Sequence, residues 1–223
     1  HEIKNPLASL RSAVETFENV KDPALQAQLI DVIRDDINRV DRLITDIADV
    51  SRLDAELART RFEPVDLGQM AATLVRLVER SGLPRGVRIA YARPEPGTAI
   101  AVGDESRLGQ VIRNLLDNAA SFSPDDGVVR MTVMRAGARI MLRVDDDGPG
   151  IPAGMHEEIF KRFYSERPEG ESFGKHSGLG LAIARAIVEA HDGTIRAINR
   201  EQDGSVAGAR FVMTLPAAGT AEA

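Results

Sequence analysis

The sequence predicts an α+β protein in which a helical hairpin, forming a dimeric four-helix bundle, is followed by an α/β sandwich. Three observations predict this fold class. Apolar residues in the first quarter of the chain recur with a 4-3-4-3 spacing, which places them on one side of a helix. After Pro64, short apolar runs alternate with amphipathic helical patterns. Two glycine pairs, Gly148/Gly150 and Gly178/Gly180, lie among these elements.

The composition limits the classes of protein that fit this chain. Its 223 residues, 43% of them apolar, suffice for one large or two small packed domains. The absence of cysteine excludes disulfides and thiolate zinc sites, and the net charge of −6 argues against non-specific nucleic-acid binding. No apolar run approaches the ~20 residues that span a bilayer. Because the chain begins with His rather than Met, we expect it to be part of a longer protein.

Two helices are predicted before the linker. The first ends at Lys21, where Asp22 is suited to cap the next helix and Pro23 to begin it. The second extends from about Ala24 to Leu57 with a wider apolar stripe. The stripes contain Ile3, Leu7, Leu10, Val14 and Phe17 in the first helix, and Ile33, Ile37, Val40, Ile44 and Ile47 in the second.

These stripes are too wide for two helices to cover alone, so a homodimeric four-helix bundle is the simplest solution. The alternative is that the hairpin packs against the rest of its own chain. We interpret residues 1–60 as the dimerisation domain, 61–65 as a linker, 66–217 as the α/β domain and 218–223 as a flexible tail.

The α/β domain is predicted from periodicity and turn residues. Helices are predicted over Leu67–Glu79, Arg107–Ala119 and Leu179–Ala190. Strands are predicted over Val87–Ala92, Thr98–Val102, Val128–Met134, Arg139–Val144, Thr194–Asn199 and Ala209–Leu215, the third and fourth as a hairpin. A further short helix is predicted to start at Pro152, and His191 suits the C-terminus of the last helix.

Asn114 and Asn118 lie four residues apart and therefore share one face of a predicted helix. Their neutral carboxamide oxygens suit a hard cation such as Mg²⁺, which keeps several waters and takes its other ligands from phosphates. The alternative is a solvated polar stripe.

Asp146 follows an apolar strand and precedes Gly148 and Gly150. Its carboxylate can accept a hydrogen bond from an amino group of a ligand, and the glycines leave room for a flat ring. The alternative is an ordinary strand followed by a glycine turn. About thirty residues later, Gly178 and Gly180 open a helix, where backbone N–H groups can bind phosphate.

The segment between these glycine pairs has the composition of a lid. Residues 165–176 are polar and contain glycine, which is typical of a loop that orders around a ligand. Arg162, Arg167 or Lys175 could reach phosphates, and the sequence leaves the choice open. The alternative for each charge is a solvated surface loop.

The chain begins with a candidate nucleophile. His1 and Asn5 share a helical face that differs from the apolar stripe, and Glu2 adjoins His1. An exposed imidazole can form a phosphoramidate if a carboxylate takes its ring proton, and Asn5 could hold a water for the reverse hydrolysis. The alternative is an exposed histidine without a chemical role.

Five motifs in order resemble the catalytic core of bacterial two-component sensor histidine kinases. H-E-I-K-N-P at the start resembles the H box, and Q-V-I-R-N-L-L-D-N-A, ending at residue 119, resembles the N box. D-D-D-G-P-G-I-P, I-F-K-R-F-Y and H-S-G-L-G-L-A-I resemble the G1, F and G2 boxes. The acidic lid and the H-S-G-L-G-L form are similar to the alphaproteobacterial acid- or envelope-sensing subgroup.

The resemblance implies a helical dimerisation hairpin and a GHKL (Bergerat-type) ATP-binding fold of the kind shared with gyrase-type ATPases. It implies ATP and Mg²⁺ as cofactors, a response regulator as partner, a homodimer, and membrane attachment only through upstream segments of a sensor whose cytoplasmic portion this is. In the phosphotransfer part it implies His1 as phosphoacceptor, Glu2 as its base and Asn5 in phosphatase activity.

The resemblance also implies roles in the nucleotide pocket. Asn118 would bind Mg²⁺, Asn114 would lie near the phosphates, and Asp146 would bind adenine. The remaining nucleotide-site residues implied by the motifs are Gly148, Gly150, Arg162, Tyr164, Lys175, Ser177, Gly178, Leu179 and Gly180. The chain departs from the family pattern at Ser121 and Phe122, where many relatives carry Lys and Tyr, and at His176, where many have glycine.

Two other functions remain open at this point. An ATP-driven clamp would use a glutamate at the position of Asn114 to activate water, and an amide cannot act as that base. A non-catalytic scaffold would be expected to have lost its motifs, and these motifs are present. The sequence therefore favours an ATP-dependent protein-histidine kinase.

Overall fold

The computed structural model describes residues 4–57, 62–162, 164 and 178–219. Helices α1 (Lys4–Asn19) and α2 (Pro23–Leu57) pack against each other as a hairpin. The carboxylate of Asp22 accepts a hydrogen bond from the Ala24 N–H at 2.9 Å, so the predicted cap is confirmed. The helical hairpin is thus in place as the sequence predicts.

Apolar side chains on both helices of the hairpin are left exposed by the part of the chain that the structure describes. Ile30, Ile37 and Ile44 of α2 are seven residues apart and are 43%, 54% and 55% exposed. Leu7 and Val14 of α1, also seven apart, are 50% and 44% exposed. A heptad repeat of exposed apolar side chains is the surface that a second pair of helices covers in a bundle.

The α/β part comprises three helices and seven strands among the described residues. The strands are β1 (Glu63–Asp66), β2 (Arg88–Ala92), β3 (Ile100–Gly103), β4 (Val128–Ala136), β5 (Arg139–Asp145), β6 (Thr194–Gln202) and β7 (Ser205–Pro216). The helices are α3 (Leu67–Ser81), α4 (Glu105–Phe122) and α5 (Gly180–Ala190). Short 3₁₀ helices cover Pro84–Gly86 and Glu158–Phe160.

Five strands form one sheet in the order β2-β4-β5-β7-β6, and β1 pairs separately with β3. β2 runs parallel to β4, while the other neighbours are antiparallel. The three helices pack on this sheet, and the core lies between the two layers. Alternate strand residues such as Val129, Met131, Leu142 and Val144 are fully or almost fully buried, as expected for a sheet with one covered face.

His191 ties the C-terminus of α5 to the N-terminus of α4. Its Nδ1 lies 2.7 Å from the Ile187 carbonyl oxygen, and its Nε2 accepts a hydrogen bond from the Asp104 N–H at 3.0 Å. Its ring stacks on Phe62 with a centroid distance of 4.4 Å. The predicted place of His191 at a helix C-terminus is confirmed.

Two local predictions differ from the structure. Residues 63–65 were expected in a linker, but Glu63, Pro64 and Val65 belong to β1, because Ile100–Gly103 supplies an antiparallel partner strand. Pro152 was predicted to start a helix, and that prediction is wrong: Pro152 accepts a turn hydrogen bond from the Met155 N–H, and the next helix is the 3₁₀ turn at Glu158.

Among the described helices, none combines the length and hydropathy that a membrane span requires.

Candidate functional site

Helix α4 presents the two asparagines on the side away from the core. Asp104 caps the helix by accepting a hydrogen bond from the Arg107 N–H at 3.0 Å, while Ile112, Leu115 and the other apolar residues of the opposite face are fully buried. Asn114 and Asn118 are only partly buried. The helix is therefore oriented by its apolar face, and this orientation places the carboxamides on the side away from the sheet.

The two asparagines have different surroundings. Asn114 Nδ2 donates a hydrogen bond to the Gly180 carbonyl oxygen at 2.9 Å, which joins α4 to the first residue of α5. The Asn118 carboxamide forms no hydrogen bond with the described residues. Asn114 thus holds two elements of the site together, whereas Asn118 is available to a ligand.

Asp146 is the buried carboxylate of the site. It follows β5, is 2% exposed, and its Oδ1 accepts hydrogen bonds from the N–H groups of Gly148 and Ala209, each at 2.9 Å. Burial raises the pKa of Asp146, and those two hydrogen bonds together with the charge of Arg200 offset only part of the increase. Its second oxygen, Oδ2, makes none of these hydrogen bonds and can accept one from a ligand.

The glycines after Asp146 are required by close packing. A Cβ on Gly148 would lie 2.6 Å from the Phe122 carbonyl oxygen at the end of α4. Gly150 has a φ of +79°, and a Cβ there would lie 2.8 Å from Asn199 Oδ1. The loop therefore lies directly against α4 on one side and β6 on the other.

Helix α5 begins without a cap from any described side chain, in contrast to α3 and α4, which are capped by Asp66 and Asp104. Gly178 precedes it with a φ of +65°, and Leu179 is 1% exposed and anchors the start in the core. An uncapped helix start leaves its first N–H groups to bind an anion. This start lies beside Asn114, as the hydrogen bond to Gly180 shows.

Phe160 docks the segment before the predicted lid. It is 4% exposed, its ring meets Phe211 edge-on with centroids 6.3 Å apart, and the Arg185 guanidinium lies 3.9 Å above its centroid. Arg162 follows in an exposed turn, and Tyr164 is partly buried. The chain just before Arg162 is thus fixed against α5 and β7.

Several predicted site residues lie outside the described residues: His1, Glu2, Arg167, Lys175 and Ser177. Asn5 belongs to α1 by its backbone. Of the other predicted residues, Asn114 contacts Gly180 and Asp146 contacts Gly148, while Gly148 also lies against Phe122 at the end of α4.

Three residues of the site were missed by sequence reasoning. Asn199 forms two hydrogen bonds with the backbone of Ile151. Its Oδ1 accepts from the Ile151 N–H at 2.6 Å, and its Nδ2 donates to the Ile151 carbonyl oxygen at 2.9 Å. Arg200 Nη1 donates to the Asp146 carbonyl oxygen at 2.5 Å. Gly208 packs against the backbone of Asp146. Only Gly208 had a signal, since a glycine inside a strand often marks a bulge or a close approach.

The donor set fits a nucleotide-borne Mg²⁺ better than a metal held by protein alone. Among the described residues, no group of three or more His, Cys, Asp or Glu side chains could hold a metal ion. One available carboxamide oxygen, that of Asn118, suits a cation that keeps its waters and shares phosphate oxygens.

Comparison with known proteins extends these observations. Residues 103–219 match the model of the histidine kinase-, DNA gyrase B-, and HSP90-like ATPases, and residues 1–56 match the His Kinase A (phospho-acceptor) domain. Sensor protein ChvG of Rhizobium meliloti (strain 1021) is 48% identical over 97% of this chain. The chain spans 39% of the length of that relative.

Solved structures agree in fold. Full-length ShkA in complex with AMPPNP is 26% identical, covers 97% of this chain and 44% of its own, and has a TM-score of 0.67. Histidine kinase ThkA in complex with response regulator protein TrrA covers 97% of this chain and 59% of its own with a TM-score of 0.77, and its 23% identity bears on the fold alone. The predicted resemblance is confirmed: the chain belongs to the family of histidine kinase-, DNA gyrase B- and HSP90-like ATPases and, within it, to the sensor histidine kinases.

Proposed function

We propose that this chain is the catalytic core of an ATP-dependent protein-histidine kinase, part of a longer sensor protein, that phosphorylates His1 and passes the phosphoryl group to an aspartate of a response regulator. The observation that carries the proposal is the convergence of three motifs. The hydrogen bond from Asn114 to Gly180 joins the N box to the G2 turn, and Gly148 of the G1 loop abuts the end of α4.

The pocket residues have complementary roles in this proposal. The buried carboxylate of Asp146 accepts a hydrogen bond from the adenine amino group, and Gly148 and Gly150 let the backbone approach the ring. The phosphates lie at the uncapped start of α5 near Asn114. Asn118 supplies the protein ligand to Mg²⁺, which when bound neutralises phosphate charge.

Phosphoryl transfer then depends mainly on positioning and charge neutralisation. The bond between the γ-phosphorus and its bridging oxygen breaks while a phosphorus–nitrogen bond forms to the His1 imidazole. The ring proton passes to the Glu2 carboxylate, and ADP leaves. Arg162, Tyr164, Lys175 and Ser177 are proposed to close over the nucleotide as parts of the lid and its flanks.

The proposed assembly is a homodimer that also binds the receiver domain of a response regulator. The exposed heptad positions Ile30, Ile37 and Ile44 supply the apolar surface for the second copy. The response regulator is inferred from the family and from the ThkA–TrrA complex, in which a related fold binds such a protein. We expect Asn5 to orient a water that hydrolyses the regulator's phosphoaspartate.

Incubation with Mg²⁺ and ATP labelled in its γ-phosphate tests the kinase reaction. We expect acid-labile, base-stable label on the protein, complete loss of that label in His1→Gln, and no label when Mg²⁺ is chelated. Release of free phosphate without labelled protein would instead support an ATP-driven clamp. The contact of Asn114 with Gly180 argues against that clamp, because this amide holds structure together and cannot activate water.

The phosphatase reaction is tested separately with Asn5→Ala. This change should leave His1 labelling within about twofold but slow dephosphorylation of the regulator by at least about tenfold, since water positioning is lost. Asn19→Ala is the matched control, because this amide belongs to the other end of α1 and donates to the Glu15 carbonyl oxygen at 2.8 Å. Equal phosphatase rates in the two variants would contradict the role of Asn5.

A further inference from the structure

Arg200 contacts all three consecutive aspartates at the end of β5. Its Nη1 donates to the Asp146 carbonyl oxygen at 2.5 Å and to Asp147 Oδ1 at 2.9 Å, and its Nε lies 3.8 Å from Asp145 Oδ2. The Arg200 side chain is 18% exposed, so these contacts are largely shielded from water. One guanidinium therefore fixes the strand end from which the nucleotide loop departs.

Arg200 lies at an irregularity between β6 and β7. Arg200 pairs with Gly208, and the register shifts between Arg200 and Glu201. Its Nη1 also lies 3.4 Å from the Ala207 carbonyl oxygen. Irregularities of this kind can re-aim a side chain, and the Arg200 guanidinium at this one contacts the end of β5.

The neighbouring acids have other basic partners. Asp147 Oδ1 accepts from Arg130 of β4 at 2.6 Å, and Asp145 forms two hydrogen bonds of 2.8 Å with Arg210 of β7. Asp145 Oδ2 also lies 3.7 Å from Nε of Arg143.

Asp146 differs in its electrostatic surroundings. The positive charge of Arg200 favours the ionised form of the Asp146 carboxyl group, and the negative charge of Asp147 disfavours it. The Asp146 carboxylate is therefore supported in its ionised form by the charge of Arg200 and by two backbone N–H groups.

We propose that Arg200 is a positioning residue for nucleotide recognition: it holds the Asp146 backbone in place and keeps the Asp146 carboxylate ionised, so that the site selects a 6-amino purine over a 6-oxo purine. This inference rests on the proposed binding of adenine by Asp146. An ionised carboxylate only accepts hydrogen bonds and so matches the amino group of adenine. A protonated carboxyl can instead donate to the exocyclic 6-oxo oxygen of hypoxanthine.

The test compares the affinities of ADP and IDP by calorimetry at a series of pH values from acid to above neutral. Because the two nucleotides carry the same phosphates, the ratio of their dissociation constants cancels phosphate ionisation. The wild type should bind ADP more tightly than IDP, and this preference should fall at acid pH as Asp146 takes a proton. In Arg200→Gln the midpoint of that fall should move to higher pH, because a positive charge that favours the ionised carboxylate is lost.

Two variants serve as controls. Arg130→Gln removes a comparable hydrogen bond to Asp147 without touching Asp146, so its midpoint should equal that of the wild type. Arg200→Lys keeps the positive charge but lacks the planar guanidinium. It should therefore keep the pH midpoint of the wild type while weakening the binding of both nucleotides by about tenfold. It also gives a result if Arg200→Gln does not fold.

The outcomes distinguish the proposed role of Asp146 from the proposed role of Arg200. A wild type that binds neither nucleotide, or does not prefer ADP, contradicts the proposed role of Asp146 itself. A wild type that prefers ADP, with the same midpoint in Arg200→Gln and Arg130→Gln, contradicts the role of Arg200. A changed midpoint or unaltered affinities in Arg200→Lys contradict it as well.

Discussion

Replacing Asp146 with asparagine should weaken ADP binding by about a hundredfold or more, without reducing the stability of the protein at neutral pH. In the wild type, Oδ1 accepts from the N–H groups of Gly148 and Ala209. The single carbonyl oxygen of asparagine must stay with those donors. Its NH₂ group then faces the amino group of adenine, so that two donors meet where the wild type pairs a donor with an acceptor.

The stability part of this prediction follows from the sign of the pKa shift. Burial raises the pKa of Asp146 in the folded protein, so folding favours its protonated form. The stability associated with this group is therefore fully present below its unfolded pKa and is lost as the pH rises through the folded pKa. Asparagine does not titrate, so the variant should gain in melting temperature over the wild type as the pH rises from acid to neutral.

Asp147→Asn is the control for which we expect the opposite change of stability with pH. Burial raises the pKa of Asp147, but hydrogen bonds from Arg130, Arg200 and the Val128 N–H outweigh it and lower the pKa overall. Its stabilisation is present above the unfolded pKa and is lost as the pH falls through the folded pKa. Asp147→Asn should therefore melt below the wild type at neutral pH, with the difference shrinking in acid.

Calorimetry with ADP and thermal melts at several pH values measure both parts. Tight ADP binding by Asp146→Asn would remove this carboxylate from the adenine site. A fall in its melting temperature at neutral pH, comparable with that of Asp147→Asn, would show that the charge of Asp146 stabilises the fold, contrary to the direction of its pKa shift.

Replacing Gly208 with alanine should destabilise the protein by about 3 kcal/mol or more. Gly208 has a φ of +134°, a region that residues with a Cβ rarely adopt. An added Cβ would lie 2.8 Å from the carbonyl carbon of Asp146 and closer still to its oxygen. That backbone cannot move freely, because the Asp146 N–H donates to the Ala209 carbonyl oxygen at 3.0 Å.

Gly204→Ala is the matched control in the same β6–β7 hairpin. Gly204 also has a positive φ, +77°, but a Cβ there meets no atom within 4 Å. It should cost only about 1 kcal/mol, the strain of the left-handed backbone alone. Urea unfolding measures the two free energies, and ADP binding should weaken in Gly208→Ala only. Equal unfolding free energies in the two variants would show that contact with Asp146 does not require glycine at position 208.

The sequence predicted the local elements well where the signals are local. The end of α1 and the start of α2 follow from Asp22 and Pro23, because capping and a fixed proline φ act within a few residues. The shared face of Asn114 and Asn118 follows from helical geometry alone. The turn between β4 and β5 was likewise predicted, since a two-residue hairpin connection carries its own glycine.

The errors lie where a distant segment supplies the partner. Val65 pairs with Ala101, and no local sequence signal near Val65 predicts that strand. The segment after Pro152 forms turns and a 3₁₀ helix, because Phe160 is fixed by Phe211 and Arg185 rather than by its own periodicity. Tertiary contacts therefore overrode local preference at these places.

By itself the sequence determined the order of helices and strands, the family motifs and the residue types available for nucleotide chemistry. Only the tertiary structure decided that Asn114 holds α5 while Asn118 stays available, and that Arg200 and Gly208 of the last hairpin fix Asp146. The physical reason is the separation along the chain over which the different interactions act. Helix periodicity, caps and turns act over a few residues, whereas the surroundings of a buried carboxylate depend on strands more than fifty residues away along the chain.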